Sequence, residues 1–183
     1  LLNGAVAYED ALAAASPVVP EGLSPDDRYV LYTGGTTGMP KGALWRQADF
    51  LAACLGIDRT TDEIVERALR SHPRVLAAPP FMHGAAHWNA ISAWTAGGTV
   101  VVQDNPDRLD AVDILDACAR ERVSSLLIVG DAFARPVADE LAAHPRDLEG
   151  LRVLITGGAT RSAGVKDELL AHVPGLRIVD LLG

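Results

Sequence analysis

Glycine and threonine are concentrated between Tyr32 and Gly42, where the chain reads Tyr-Thr-Gly-Gly-Thr-Thr-Gly-Met-Pro-Lys-Gly. Glycine permits positive φ angles and a close approach of the backbone to a ligand, so consecutive N–H groups can converge on an anion. The threonine hydroxyls add hydrogen-bonding groups, and Lys41 adds a positive charge. This segment predicts a loop that binds a polyphosphate. It is not a Walker A loop, because that motif needs Gly directly before Lys, and Pro40 occupies this position.

The same segment resembles the phosphate-binding signature T-S-G-T-T-G-x-P-K-G of the adenylate-forming (AMP-binding) superfamily. That superfamily includes acyl-CoA synthetases, luciferases and the adenylation domains of peptide synthetases. The chain departs from the signature at its second position, where Gly34 replaces Ser and removes one hydroxyl but keeps the backbone donors. A solvated glycine turn is the alternative reading. The resemblance implies that the phosphates of ATP contact Thr33, Gly34, Gly35, Thr36, Thr37, Gly38 and Lys41.

A second candidate segment, Pro80-Phe81-Met82-His83, follows an apolar run. Taken alone, His83 is more simply a core or helix-capping residue. The segment resembles a family motif in which an aromatic or apolar pair precedes His. The resemblance implies that His83 is a catalytic-site residue whose ring lies between the nucleotide and the acyl pocket. His87 lies four positions later, but Gly84 stands where a zinc-binding H-E-x-x-H motif has Glu, so we expect no metal site.

The third candidate segment follows a strand-like run that begins at Leu151. Its local sequence predicts a strand-to-helix turn in which Thr160 or Ser162 is the helix N-cap. The segment also resembles the G-G-A segment of the family, whose backbone packs against adenine. The resemblance implies a nucleotide-binding role for Gly157, Gly158, Ala159 and Thr160. Asp131, which follows a further strand-like run, is expected to be the N-cap of its own helix.

Strand-like and helix-like segments alternate along the chain, which predicts an α/β fold with a layered, mostly parallel sheet and helices on both faces. Ligands of such sheets bind beyond the carboxyl ends of the strands. If all strands are parallel, the Gly/Thr loop, His83, Asp131 and the turn after residue 156 gather along one edge. The expected strands are 29–32, 75–78, 99–103, 124–129, 152–156 and 177–182. The expected helices are 8–15, 47–56, 61–71, 85–96, 109–121, 131–143 and 162–172.

The composition limits the classes of partner. The chain has 183 residues, 49% of them hydrophobic, and a net charge of −8 without a basic block, which argues against nucleic acid and anionic membranes. Positive potential for ATP must be local, and Lys41 with Arg46 is the obvious source, although Arg46 could equally be a solvated helix charge. Residues 75–103 contain no Asp, Glu, Lys or Arg, but prolines, histidines and a Gly-Gly pair interrupt them. We therefore expect a buried turn and helix there rather than a membrane span.

The cysteines and the two ends of the chain give further expectations. Cys54 and Cys118 lie in apolar helical patterns, which predicts buried reduced thiols and a cytoplasmic location. Both ends look cut, so we expect an internal fragment of a large N-terminal AMP-binding domain. Residues 1–25 would form a helix and a Pro-rich connector, and residues 26–183 the nucleotide-binding core. Without a C-terminal domain the fragment should be inactive alone, and uncovered sheet edges should favour self-association into homo-oligomers.

The resemblance implies an AMP-forming acyl-CoA synthetase. A fatty or sterol-like carboxylic acid would attack the α-phosphorus of ATP and release pyrophosphate, and coenzyme A would then displace AMP to give a thioester. Donors around the leaving phosphates would position them and neutralise their charge. ATP, Mg²⁺ and coenzyme A are the implied cofactors. Two alternatives stay open, namely a non-catalytic nucleotide-binding module and an amino-acid adenylation domain.

Overall fold

The computed structural model describes residues 4–18, 21–34, 38–56, 61–157 and 162–181. Helices and strands alternate over most of these ranges, as the sequence pattern predicts. The helices are α1 (Tyr8–Ala14), α2 (Gln47–Leu55), α3 (Thr61–Ser71), α4 (Gly84–Thr95), α5 (Ala111–Arg120), α6 (Gly130–Ala143) and α7 (Ala163–His172). The strands are β1 (Arg28–Thr33), β2 (Lys41–Arg46), β3 (Arg74–Ala77), β4 (Thr99–Val101), β5 (Ser125–Ile128), β6 (Val153–Gly157) and β7 (Arg177–Leu181).

Five strands form a parallel sheet in the order β4-β3-β5-β6-β7. The sheet forms because its strands are short apolar runs: Leu126, Leu127 and Ile128 of β5 are all at least 98% buried. A strand that is apolar on both faces must be covered on both faces. The three strands at the centre of the order end at the same edge, since Ala77 pairs with Leu127 and Ile128 pairs with Thr156.

Helices cover both faces of the sheet, which confirms the predicted α/β class. On one face, α5, α6 and α7 bury the main core against alternate strand residues such as Leu76, Leu126 and Leu154. On the other face, Ala86 of α4 packs with Ala77 and Leu127. Alanine on both sides lets α4 lie close to the strands. Burial of one leucine side chain in such a core contributes about 1.5–3 kcal/mol.

The first strand does not join this sheet. β1 pairs with β2 as an antiparallel hairpin, with Tyr29 opposite Trp45 and Thr33 opposite Lys41. The prediction that the first strand belongs to the parallel sheet is therefore wrong, and β2 was not predicted as a strand. The short connection explains the antiparallel pairing of β1 with β2, because a parallel pair needs a crossover of a dozen or more residues. Only residues 34–40 separate β1 from β2.

The charge-free segment forms a turn and the helix α4 between β3 and β4, as expected, but the prediction that this turn is buried is wrong. Residues 80–83 are exposed, and α4 buries only its small residues Ala86, Ala90 and Ala93. The turn after α4 requires glycine at position 97, where φ is +67° and a Cβ atom would lie 2.2 Å from the carbonyl oxygen of Ala68. Because Gly97 has no Cβ atom, α3, which contains Ala68, can pack closely against the end of α4. Within the described ranges, no helix combines the length and apolar character needed to cross a bilayer.

Candidate functional site

The predicted phosphate loop connects the two strands of the hairpin. Thr33 ends β1, and its Oγ1 donates a hydrogen bond to the carbonyl oxygen of Lys41, the first residue of β2, at 3.3 Å. Within the described part of the chain, a Cβ atom built at Gly34 or Gly38 would meet no atom within 4 Å, and the φ of +120° at Gly38 requires glycine. Lys41 is exposed. The two ends of the loop are thus held together beside a lysine charge.

The predicted loop residues Gly35, Thr36 and Thr37 lie outside the described residues. The same holds for Gly158, Ala159 and Thr160 of the predicted adenine segment. The roles assigned to all six residues stay predictions.

Arg46 does not reinforce Lys41. It is five residues further along β2, about 17 Å away at the usual rise of an antiparallel strand. Its Nε donates to Asp26 Oδ1 at 2.8 Å, and its Nη1 lies 3.2 Å from Asp49 Oδ1. The hydrogen bond and the charge of Asp26, helped by Asp49, raise the pKa of Arg46. The guanidinium therefore joins α2 to the segment before β1, and Lys41 is left as the cation of the loop.

His83 lies at the start of α4, beside the hairpin. Its backbone N–H donates to the carbonyl oxygen of Pro80 at 3.0 Å, and its side chain is exposed. A Cβ atom at Gly84 would lie 2.8 Å from Leu31 Cδ2, so the start of α4 touches β1. Leu31 precedes Thr33 by two residues, about 7 Å of strand. The structure thus places the start of α4, where His83 lies, beside the strand that leads into the loop.

Five rings hold the hairpin in this position, and we call them the aromatic cluster: Tyr29, Trp45, Phe50, His87 and Trp88. Trp88 Nε1 donates to the hydroxyl of Tyr29 at 3.0 Å. The Trp88 ring meets Trp45 edge-on at a centroid distance of 6.4 Å and Phe50 at 5.6 Å. Tyr29 lies 4.5 Å from Phe50 and 5.5 Å from His87. The cluster therefore packs β1 and β2 against α2 and α4.

The sequence interpretation missed most of this cluster. The available signal was the alternation in which Tyr29 and Leu31 of β1, and Ala43 and Trp45 of β2, are half-buried while Val30 and Leu44 are exposed. His87 is a packing partner of Tyr29. Among the described residues there is no group of three or more His, Cys, Asp or Glu side chains that could hold a metal ion.

The remaining candidate segments follow β3, β5 and β6 at one edge of the sheet. β3 and β6 are separated by β5, so their ends lie about 10 Å apart at the usual strand spacing. Gly157 is the last residue of β6, and a Cβ atom there would lie 3.0 Å from the carbonyl oxygen of Leu181. The close approach of β7 therefore explains why a glycine is favoured at position 157, whether or not a nucleotide binds there.

Asp131 does not cap its own helix. The N-cap of α6 is Val129, and Asp131 lies within the first turn. Its carboxylate instead accepts from the backbone N–H of Ser162, at 3.0 Å to Oδ1 and 3.1 Å to Oδ2. Next to it, the backbone N–H of Gly130 donates to Thr156 Oγ1 at 3.2 Å. The sequence reading missed both contacts, since the partners are more than twenty-five residues apart.

Cys118 is buried in α5, as predicted, and burial raises the pKa of its thiol to about 12. The side chain of Cys54, for which the same prediction was made, lies outside the described residues. At neutral pH the Cys118 thiol is protonated, and it belongs to the core.

The family follows from a comparison of sequences. The sequence pattern of the family described as AMP-binding enzyme matches residues 2–183. The chain belongs to the AMP-binding enzyme family. The Gly/Thr loop, which carries the resemblance in the sequence, is the connection within the hairpin, and Gly84, the residue after His83, adjoins Leu31 of the same hairpin.

Two curated relatives among the AMP-binding enzymes are acyl-CoA ligases. The medium-chain acyl-CoA ligase Mig of Mycobacterium avium is 44% identical over 194 residues, which is 100% of this chain and 35% of the relative. The 3-oxocholest-4-en-26-oate–CoA ligase of Rhodococcus rhodochrous is 35% identical and covers 98% of this chain and 35% of the relative. The chain thus spans about a third of the length of these relatives.

The fold agrees with solved structures of the family. The inhibitor-bound N-terminal domain of FACL13 from Mycobacterium tuberculosis superposes with a TM-score of 0.72 at 25% identity. The match covers 94% of this chain and 41% of that one. The predicted α/β class and the predicted membership of the AMP-binding superfamily are both confirmed.

Proposed function

We propose that the full-length protein containing this chain is an AMP-forming acyl-CoA synthetase that activates a fatty or sterol-derived carboxylic acid. The observation that carries the proposal is the 44% identity, over the whole chain, to a medium-chain acyl-CoA ligase. A second relative acts on a sterol-type acid by its name, which supports the wider acid class. The arrangement of the hairpin loop and His83 agrees with this reading.

The proposed reaction has two steps. A carboxylate oxygen attacks the α-phosphorus of ATP, and the bond from that phosphorus to the bridging oxygen breaks to release pyrophosphate. The thiol of coenzyme A then attacks the carbonyl carbon of the acyl adenylate and expels AMP. The loop between Thr33 and Lys41 would hold the β- and γ-phosphates. Its two ends are fixed by the hairpin, and the acidic side chains that pair with Arg46 do not neutralise the positive charge of Lys41.

Mg²⁺ would enter this site together with ATP. In nucleotide sites it is usually held by one or two carboxylates together with the substrate phosphates, so the site does not need a cage of protein ligands. The described residues offer no such cage.

The rest of the site follows the same scheme. His83 would line the passage between nucleotide and acid, since it is exposed and adjoins the loop-bearing hairpin. The turn that begins at Gly157 would hold the adenine. We further propose that residues 26–183 form the nucleotide-binding part of a larger N-terminal domain, that residues 1–25 are its connector, that the chain alone is inactive and that the enzyme is cytoplasmic.

Carboxylate-dependent ATP–pyrophosphate exchange by the full-length protein tests the proposal. The panel contains fatty, sterol-type, aromatic and amino acids. We expect exchange with fatty or sterol-type acids, and we expect Lys41→Ala to raise the KM for ATP by about 10-fold or more, the scale of one hydrogen bond to a charged group. Arg70→Ala on α3 is the control for Lys41→Ala, because it also removes one positive charge, from an exposed residue that pairs with Glu66. His83→Ala is compared with His172→Ala, and only the former should weaken activation of the acid.

The other outcomes separate the alternatives. Exchange that depends only on amino acids would indicate an amino-acid adenylation domain. ATP binding without exchange, for every acid in the panel, would indicate a non-catalytic nucleotide-binding module.

A further inference from the structure

His72 directly follows α3, and its ring bridges two carbonyl oxygens. Nδ1 lies 3.0 Å from the carbonyl oxygen of Gly97, and Nε2 lies 3.0 Å from the carbonyl oxygen of Leu69. A carbonyl oxygen can only accept a hydrogen bond, and a neutral imidazole carries one N–H group. The ring can therefore donate to both oxygens only when both of its nitrogens are protonated and it is positively charged.

The sequence explains why the carbonyl of Leu69 needs a donor. In a continuing helix this carbonyl would accept from the N–H of the residue four positions later. That residue is Pro73, which has no N–H. Leu69 lies in the last turn of α3, where carbonyl groups lack partners within the helix. The ring of His72 therefore supplies a donor that the backbone cannot.

The backbone of His72 has a conformation that is more usual for glycine. Its φ is +38°, in the left-handed region that often ends a helix and in which glycine is the commonest residue. A Cβ atom makes this conformation less favourable. The two contacts of the ring offset this cost, so they hold both the side chain and the end of α3.

The second carbonyl follows α4, so the ring joins two helices. α4 ends at Thr95, and Gly97 comes directly after the C-cap residue Ala96. The carboxyl end of a helix favours a positive charge. The neighbouring backbone is also fixed, because the N–H of Thr99 donates to the carbonyl oxygen of Pro73 at 2.8 Å. The charged ring thus contacts the carboxyl ends of α3 and α4 together.

The charge of the ring is not neutralised by a carboxylate within the described ranges. α3 carries five charged side chains, namely Asp62, Glu63, Glu66, Arg67 and Arg70. Glu66 pairs with Arg70 at 3.1 Å, and the other two carboxylates lie in the first turn, at the far end of α3. On β3, Arg74 pairs with Glu121 at 2.7 Å. α4 and β4 contain no Asp, Glu, Lys or Arg, and the one histidine of α4, His87, belongs to the aromatic cluster.

α3 depends on this joint because it contributes little to the core. None of its residues is buried, and Leu69 and Val65 are 71% and 50% exposed. An element with few buried apolar contacts opens at a low free-energy cost. Thr61 and Ile64 of α3 line a groove together with Leu51 of α2. Release of α3 would therefore widen this groove.

We propose that His72 is a pH-dependent lock that joins α3 to the end of α4 and is closed when both ring nitrogens are protonated. Loss of one proton leaves one of the two carbonyl groups without its donor. Acidic pH therefore holds α3 in place, and the hold weakens as the pH rises through the range in which histidine usually titrates, about pH 5–8. The lock lies about 18 Å from His83, at the other end of α4, and does not depend on the proposed function.

Native-state hydrogen exchange of the full-length protein tests the lock between about pH 5.5 and about pH 8. Protection factors are compared, because they remove the direct effect of pH on the chemistry of exchange. In the unsubstituted protein, the protection of peptides from α3 should fall about 10-fold over this range, the scale of one hydrogen bond to a charged group. Peptides from α5 are the internal reference and should keep their protection.

Two variants separate the ring from the backbone conformation. His72→Gly keeps the left-handed conformation and removes the ring, and His72→Asn keeps a residue that tolerates this conformation but does not titrate. Both should abolish the pH dependence of protection in α3. The readout is this dependence rather than the protection at one pH, because glycine also relieves the backbone. His172→Asn is the matched control, since it removes an exposed histidine from the last turn of α7 and should leave the dependence intact.

Two results would overturn the inference. One is a protection of α3 that does not change with pH in the unsubstituted protein. The other is a pH dependence that persists in the His72 variants, because another group would then be responsible. If the Gly variant does not fold, the Asn variant carries the test. The measurement needs no nucleotide, so its result is independent of whether the protein binds ATP or activates an acid.

Discussion

Replacement of Trp88 by Leu tests whether the aromatic cluster holds the phosphate-loop hairpin against α4. The change removes the hydrogen bond to the hydroxyl of Tyr29 and the ring contacts with Trp45 and Phe50. One neutral hydrogen bond contributes about 1 kcal/mol, and each aromatic contact adds about 0.5–1.5 kcal/mol. The leucine side chain recovers part of this loss by filling the same space. We therefore expect the free energy of local opening of the hairpin to fall by about 2–3 kcal/mol.

Native-state hydrogen exchange of the full-length protein measures this opening directly. A fall of about 2–3 kcal/mol should speed exchange in peptides from β1 and β2 by roughly 30- to 150-fold. Tyr29→Phe, which removes only the hydroxyl, should give about a fivefold increase, since it loses one hydrogen bond. Trp94→Leu on the same helix is the matched control, because Trp94 is 61% exposed and outside the cluster.

The reasoning is refuted if the hairpin peptides of Trp88→Leu exchange at the rate of the unsubstituted protein. It is also refuted if Trp94→Leu accelerates them to the same extent, because the effect would then come from α4 as a whole. Peptides from β5 serve as an internal reference, and their exchange should not change in any of the three variants.

Three further predictions test other parts of the structure. Arg46→Ala should leave the KM for ATP within about twofold, because Arg46 is paired with Asp26 and Asp49; a tenfold rise would show that it serves the nucleotide. Gly97→Ala should lower the free energy of unfolding by roughly 3 kcal/mol or more, because the new Cβ atom meets the carbonyl of Ala68. Gly175→Ala is the control: Gly175 has a φ of +82° but no described atom near its Cβ position, so the change should lower the free energy of unfolding by only about 1–2 kcal/mol. Urea titrations measure both values. Because burial raises the pKa of Cys118 from 9.0 to about 12, its contribution to stability is complete below pH 9 and is lost as the pH rises toward 12. Cys118→Ala should therefore reduce the loss of stability between pH 9 and pH 11, and peptide-resolved mass spectrometry should find little alkylation of native Cys118 at pH 8.

The parallel sheet could be predicted because its signal is local. Leu126, Leu127 and Ile128 form a continuous apolar run, and a helical pattern follows them, so both the strand and its crossover can be recognised within one short window. A loop between Thr33 and Lys41 could be predicted for the same reason, since its glycines occur close together there, and its role in binding phosphate stays a prediction.

The hairpin and the hydrogen bonds that Thr156 and Asp131 accept could not be found in this way. β1 pairs with β2 in antiparallel direction because the link between them is short. The alternating pattern of strands and helices does not reveal this pairing, since it does not show β2 as a strand. Asp131 and Ser162 meet only because β5 and β6 are neighbours in the sheet. The local residue pattern predicts that Asp131 caps its own helix, α6. In the folded chain, its carboxylate instead accepts a hydrogen bond from the N–H of Ser162 at the start of α7.

The separation of the hairpin from the sheet also orders the events of folding. β1 and β2 pair across a short loop, a local contact that forms within about 1–10 μs. β3 must instead find β5 fifty residues later, since Val75 pairs with Ser125, and contacts so distant in sequence slow folding. The hairpin gains its packing surface only when α4 has settled on that sheet. During synthesis and refolding, we therefore expect the hairpin to close before the surface of α4 that holds it in place has formed.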